Sequence, residues 1–287
     1  MKKRSSIITL IASATLLLSS SSYAIGSKHG VEGDEHKKHG GGVSWGYEGP
    51  RGPEHWGNLS EKFILCKTGE IQSPIDIKGP FKKTGAPSID IRYKPTSSLE
   101  MIDDGHTIKE IYGPGSLMSD DDLTIKEAYE AGSFLVIDGK PYQLLQFHFH
   151  GPSEHKIKGK SAAMEVHLVH QSTDKELAVV GILIEEGKEH KALNKIWKRM
   201  PEDVGEKVII TGKKAVFDAT SLLPREKAFF HYVGSLTTPP CSEGVRWFVM
   251  KDAIEFSKGQ IEKFKRVIGE DARPIQPRQG RPVFESN

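Results

Sequence analysis

The sequence predicts one domain of the α+β class, mainly β, organised around a single large and mainly antiparallel sheet. Short runs of alternating or continuous apolar side chains, separated by turn-forming residues, recur at 89–93, 107–112, 134–137, 142–150, 164–170, 177–184 and 245–250. Runs of that length and period read as strands. Only residues 190–200 and 257–268 carry helical spacing, and neither an internal repeat nor an interdomain linker interrupts the pattern.

From the start of the chain, residues 1–24 read as a secretory signal: Lys2, Lys3 and Arg4, an apolar stretch at 7–18, and Ser-rich spacing up to Ser22 and Ala24. Cleavage is expected before Ile25. The alternative is an uncleaved anchor, but the apolar stretch, interrupted by Thr and Ser, falls short of the roughly 20 residues a bilayer requires. Residues 25–43 are rich in Gly, Lys, His and Glu without apolar periodicity, which predicts a flexible arm. His29, His36 and His39 in it either collect a metal loosely or belong to a solvated linker. The folded domain is expected to span 44–287. Lys2, Lys3 and Arg4 outweigh the whole formal net charge of +2, so the remainder presents no basic surface for nucleic acid. No later stretch approaches a transmembrane helix. The expectation is therefore a periplasmic or secreted chain, with no stable membrane insertion after signal cleavage.

Within the domain, residues 177–184 are nearly continuously apolar and so belong in the middle of the sheet, covered on both faces. The helix at 257–268 has its start and stop written into it: Ser257 and Gln260 form a capping box, Ile261, Phe264 and Ile268 make an apolar stripe, and Gly269 follows. Cys66 and Cys241 are the two cysteines of the chain. In an exported protein a disulfide between them is the natural reading; two free buried thiols are the alternative.

Chemistry concentrates between residues 142 and 170, which read as two strands joined by a turn near 158–160. Side chains two apart on a strand share a face. His148 and His150 therefore project to one side while Phe147 and Phe149 project to the other. Glu165 and His167 repeat the device, with Val166 and Leu168 opposite. An HxH on a strand also arises as two ordinary half-buried histidines. If the two strands share a sheet, however, three imidazoles converge as ligands for a tetrahedral Zn2+ with one position left for water. Gln146 and Glu165 are the expected oxygen partners for the far sides of the ligand rings.

These residues carry a resemblance. The run QFHFH at 146–150, SEH at 153–155 and EVHLV at 165–169 resemble the zinc-binding core of the α-class carbonic anhydrases. WGYEGPRGPEHW at 45–56, QSPIDI at 72–77, GHT at 105–107, GSLTTPPCSEGVRW at 234–247 and RPIQP at 273–277 agree in the same order. The resemblance covers nearly everything after Trp45. It implies a twisted sheet of about ten strands with a few short peripheral helices, and reversible hydration of carbon dioxide to bicarbonate and a proton. Zinc would lower the pKa of its bound water to about 7, a value established on carbonic anhydrases themselves, and the resulting hydroxide would attack the substrate.

The resemblance also assigns roles. Thr237, stiffened by Pro239 and Pro240, would accept a hydrogen bond from the zinc-bound hydroxide and donate its own proton to Glu154. Val169, Val179, Leu236 and Trp247 would wall the carbon dioxide pocket, and Thr238 would contact bicarbonate. His106 would shuttle the proton to buffer, a task suited to an imidazole with a pKa near 6.5. A homodimer remains open. Three positions depart from the pattern: Ala162 where an aromatic residue is usual, Lys109 where a neutral polar residue is common, and Asp104 in place of Asn. Residues 113–132, with Asp120, Asp121 and Asp122, are long for the family and predict a surface excursion. Two other functions stay in view, a catalytically silent binding module on the same fold and a periplasmic zinc reservoir using the His-rich arm.

Overall fold

The computed structural model describes residues 43–112, 132–212 and 216–286. The expected signal at 1–24, nearly all of the arm at 25–43 and all but the last residue of the excursion at 113–132 lie outside the described residues. In chain order the strands are β1 (Asp76–Ile77), β2 (Ile89–Arg92), β3 (Ser98–Asp103), β4 (Ile108–Tyr112), β5 (Phe134–Ile137), β6 (Lys140–His150) and β7 (Lys156–Ile157). They continue with β8 (Met164–Gln171), β9 (Leu177–Glu186), β10 (Lys207–Thr211), β11 (Phe229–Ser235), β12 (Glu243–Met250), β13 (Ile254–Phe256) and β14 (Phe284–Glu285).

A 12-stranded sheet runs β10-β3-β4-β6-β8-β9-β12-β11-β14, with β5 paired onto β6, β2 onto β5 and β13 onto β9. Every pairing in it is antiparallel except those of β9 with β12 and β13, so the sheet is mixed but mainly antiparallel. It exceeds the expected ten strands. The unanticipated members are β3, β10, β11, β13 and β14; the last two are only three and two residues long, and in β3 and β11 buried polar residues hide the strand. On β3, Asp103 occupies a buried position, and on β11, His231 and Tyr232 are both buried. The turn expected near 158–160 is present, with Lys158 and Gly159 at positive φ, but it carries β7, which pairs with β1 in a separate two-stranded sheet.

β9 is buried through its centre and flanked on both sides, as its apolar run requires. Around it the sheet has two covered faces. One side holds Phe147, Phe149, Leu168, Val180 and Ile182 in the larger apolar cluster; the other holds Val169, Val179, Tyr232, Trp247 and Val249 in a smaller one. Phe147 and Phe149 are fully buried and meet edge to face at 6.0 Å. Each such burial contributes about 1.5–3 kcal/mol.

The helix at Lys258–Ile268 forms as its sequence dictates, with the Ser257–Gln260 capping box and Gly269 at φ 85°. Residues 190–200 fall short of the expected helix and make a 3-10 turn at Lys191–Leu193 followed by one α-turn at Asn194–Trp197. Gln260 fixes this segment, donating to His190 O and Asn194 Oδ1 and accepting from Trp197 Nε1 through its main chain, and Pro201 follows directly. Among the described residues no helix is long and apolar enough to cross a membrane.

One residue runs against the core it sits in. Glu110 on β4 faces Met101 and Phe147 across the sheet, is fully buried, and has no hydrogen-bond partner for either carboxyl oxygen among the described residues. Burial pushes its carboxyl well above the ordinary value of 4.5. The group is therefore neutral when folded and ionised when unfolded over the range above that value. Unfolding releases a proton there, so stability falls as pH rises from about 4.5 toward the folded pKa, at up to about 1.4 kcal/mol per pH unit. Glu110→Gln should remove this contribution: urea unfolding at a series of pH values is expected to give a stability difference between variant and parent that grows with pH.

Candidate metal centre

The β6–β8 register pairs His148 with His167 and sets His150 opposite Glu165, which brings all four side chains to one face. A bulge makes this compatible with the core behind. Leu144 pairs with His170 and Gln146 with Val169, so the register shifts by one residue between them, and Tyr142 and Leu144 share the core face with Phe147 and Phe149 despite the change of parity. One ring nitrogen from each of His148, His150 and His167 lies within 4.8 Å of the others.

The remaining nitrogens select which atoms face inward. His148 Nδ1 bonds Gln146 Oε1 at 2.8 Å, His150 Nδ1 donates to the Asp271 carbonyl at 2.8 Å, and His167 Nε2 bonds Glu165 Oε1 at 3.0 Å. That leaves Nε2, Nε2 and Nδ1 as the converging lone pairs, each ring fixed in tautomer and orientation by an oxygen behind it. Burial holds His148 well below the ordinary imidazole pKa and lowers His167, which keeps both neutral and able to ligate. Burial also works to lower His150, but Glu154 and Asp271 outweigh it and push the ring up to about 10.

Behind Glu165 runs a buried chain absent from the sequence reading. The His155 main-chain N–H donates to Glu165 Oε2 at 2.8 Å, His155 Nδ1 meets Oε1 at 2.7 Å, His155 Nε2 meets the Tyr232 hydroxyl at 2.7 Å, and that hydroxyl meets Ser73 Oγ at 2.8 Å. Burial alone would raise Glu165, yet His155 and His167 hold it well below the usual carboxylate range. Gly181 on β9 makes the room, since a Cβ there would meet Glu165 Oε1 at 2.9 Å. His155, Glu165 and His167 also lie close enough for a metal, but their bonds to one another and to Tyr232 already use the facing atoms.

Glu154 is buried with Oε1 accepting the Arg273 main-chain N–H at 2.9 Å. Its Oε2 has no hydrogen-bond partner and stands 3.6 Å from His150 Nε2 and 3.9 Å from His167 Nδ1. Thr237 is buried and Thr238 half-buried. No hydrogen bond joins Thr237 to Glu154 among the described residues, so the bond that the resemblance implied is not formed here. The loop is tied down by the Cys66–Cys241 disulfide, by Leu236 N–H donating to Ser242 O, and by Gln72 Nε2 donating to Cys241 O. Val169, Val179 and Trp247 are buried on the ligand face with Leu236 packed against them, and the Trp247 ring lies edge-on to His167 at 4.9 Å.

His106 is half-buried and stacks on Trp45 with ring centroids 3.5 Å apart. The two charged departures beside it pair with each other, Lys109 Nζ lying 2.5 Å from Asp104 Oδ2. Burial works to raise Asp104, but Lys109 outweighs it and lowers the carboxyl, while Oδ1 accepts from the N–H groups of His106 and Thr107. Ala162 is buried; its carbonyl accepts from Ser153 N–H and its own N–H donates to Ser153 Oγ, which closes the loop carrying Glu154. Of the residues that sequence reasoning missed, His155 had a signal, since it closes the SEH run whose Glu154 was assigned, whereas Asp271 had none.

Three converging ring nitrogens on a rigid sheet would leave a tetrahedral ion one position for solvent, the pattern of a catalytic rather than a purely structural metal centre. Residues 51–287 match the family model described as eukaryotic-type carbonic anhydrase. The chain is 41% identical over 248 residues to a carbonic anhydrase of Neisseria gonorrhoeae, covering 86% of this chain and 90% of that one. It is 42% identical over 248 residues to a carbonic anhydrase of Nostoc sp., covering 85% and 86%. Among solved structures, the α-carbonic anhydrase of Thermovibrio ammonificans in complex with sulfanilamide aligns with a TM-score of 0.74 at 42% identity, covering 85% of this chain and all of that one. The chain belongs to the α-class carbonic anhydrase family, the enzymes that hydrate carbon dioxide reversibly.

Proposed function

We propose that this chain hydrates carbon dioxide to bicarbonate and a proton with Zn2+ held by His148, His150 and His167. The observation that carries the assignment is the orientation of the rings: each has one nitrogen turned inward and the other committed to an oxygen. Neutral nitrogen donors at fixed angles on a sheet suit zinc, which tolerates a tetrahedral arrangement with one ligand position left for solvent. When bound, the ion supplies Lewis acidity that makes water a nucleophile near neutral pH.

The chain's own residues would do the rest. With Oε1 of Glu154 occupied by the Arg273 N–H, Oε2 is the oxygen that would accept a hydrogen bond from the Thr237 hydroxyl in the working site. A hydroxyl that donates to a carboxylate can meet the reacting water only as an acceptor, so it selects a nucleophile that carries a proton and aims its lone pair. The apolar wall of Val169, Val179, Leu236 and Trp247 suits a small neutral electrophile, and Thr238 stands ready for the anionic product. His106 would carry the released proton outward. The disulfide fits an oxidising compartment, so export to the periplasm or beyond accompanies this reading.

Thr237→Ala and Glu154→Ala should retain zinc while the hydration rate falls on the order of a hundredfold, the scale of one positioned hydrogen bond in such a site. Stopped-flow hydration with metal analysis on the same samples checks this; parental rates in both variants contradict the gate. His106→Ala should turn over slowly at low buffer and recover as imidazole is added, with the second-order rate for carbon dioxide little changed. Parental turnover at low buffer would mean that protons leave by another route.

A further inference from the structure

Asp271 lies outside the sheet, after the helix at Lys258–Ile268, yet it grips the middle ligand and the residue following it. Its carbonyl accepts from His150 Nδ1 at 2.8 Å, and its carboxyl Oδ1 accepts from Gly151 N–H at 2.7 Å. Its own N–H donates to Gly151 O at 3.2 Å. The other carboxyl oxygen, Oδ2, stands 3.5 Å from His150 Nδ1 and has no hydrogen-bond partner, although the residue is only 1% exposed. A carboxylate so buried and half-satisfied is costly unless a positive charge lies close by.

Charged groups cluster around the three imidazoles. Three buried carboxyls, Glu154, Glu165 and Asp271, surround the imidazoles, and Arg273 supplies one buried cation against Glu154. Buried acidic side chains thus outnumber the buried cation here, an environment suited to a dication. The hydrogen bond from His150 needs only the Asp271 main chain, and Asn would accept from Gly151 N–H equally well. What the carboxylate adds is charge.

We propose that Asp271 is a positioning residue of the metal centre, whose carboxylate fixes the His150–Gly151 corner and supplies negative charge that holds a dication against release. The inference rests on the assignment of zinc to His148, His150 and His167. It concerns metal retention, and it does not require Asp271 to touch substrate or the reacting water.

The test compares the full chain with Asp271→Asn and Asp271→Ala. Each is loaded with zinc and mixed with excess chelator, and the release rate is followed. Cobalt-substituted samples report ligand geometry through their visible spectra at one pH. Near-ultraviolet circular dichroism of the metal-free proteins reports folding. Asp271→Asn should keep the parental dichroism, release zinc at least about tenfold faster, the scale of lost outer hydrogen-bond partners at metal sites, and shift the cobalt spectrum. Asp271→Ala should release at least as fast. An Asp271→Asn protein with parental release rate and cobalt spectrum overturns the proposal, as does faster release accompanied by lost dichroism, which would assign the residue to folding alone. If the parent holds zinc and the variants match it, only this inference fails. A parent that takes up no zinc refutes the triad assignment and this inference with it.

Discussion

Everything at the metal centre depends on one pairing, β6 against β8 in the register that sets His148 opposite His167. A slip of one residue on either strand would turn its ligands into the apolar cluster of Phe147, Phe149 and Leu168 and its phenylalanines or valines toward the pocket. Both faces are buried and unlike, so the slip would cost the whole apolar cluster on one side and strand imidazoles on the other. The register is thus enforced by the hydrophobic effect on the face opposite the chemistry. The bulge at Leu145 lets one long strand serve both ends, feeding Tyr142 and Leu144 into the same core while keeping His148 and His150 on the ligand side.

Around that pairing the rest of the fold acts as a series of clamps. β9 contributes Gly181, whose missing side chain admits the Glu165 carboxylate. β11 contributes Tyr232, which reaches through His155 to the same carboxylate. The segment after the last helix contributes the Asp271 carbonyl to His150 and the Arg273 N–H to Glu154. Arg273 in turn donates its guanidinium to Gln72 Oε1 and Ser73 O, binding the early QSPIDI segment into the site. Parts of the chain some 200 residues apart therefore meet behind the three rings.

Much of this was legible beforehand, and the limits are physical. The convergence of His148, His150 and His167 and the bonding of two of these rings to Gln146 and Glu165 were readable because strand periodicity fixes which side chains share a face. The helix at Lys258–Ile268 was readable because its caps are local. Asp271 and Tyr232 were not, because they reach the site through tertiary contacts that no periodicity encodes. β3 and β11 escaped because Asp103, His231 and Tyr232 are buried polar residues that disguise a strand. The short helix at Asn194–Trp197 was over-read because its apolar spacing reflects packing against Gln260 and its surroundings rather than a continuous helix. The motif resemblance located Glu154 and Thr237, but the geometry adds why Glu154 has one free oxygen: its other is occupied by Arg273.

The central claim is that a preformed trio of imidazoles holds one zinc on which hydration depends. Titrating zinc into the metal-free chain while measuring carbon dioxide hydration tests it most directly. The account predicts activity rising from near zero in proportion to added zinc and levelling sharply at one equivalent. Full activity in metal-free protein, or activity that keeps climbing as further equivalents bind, would contradict it.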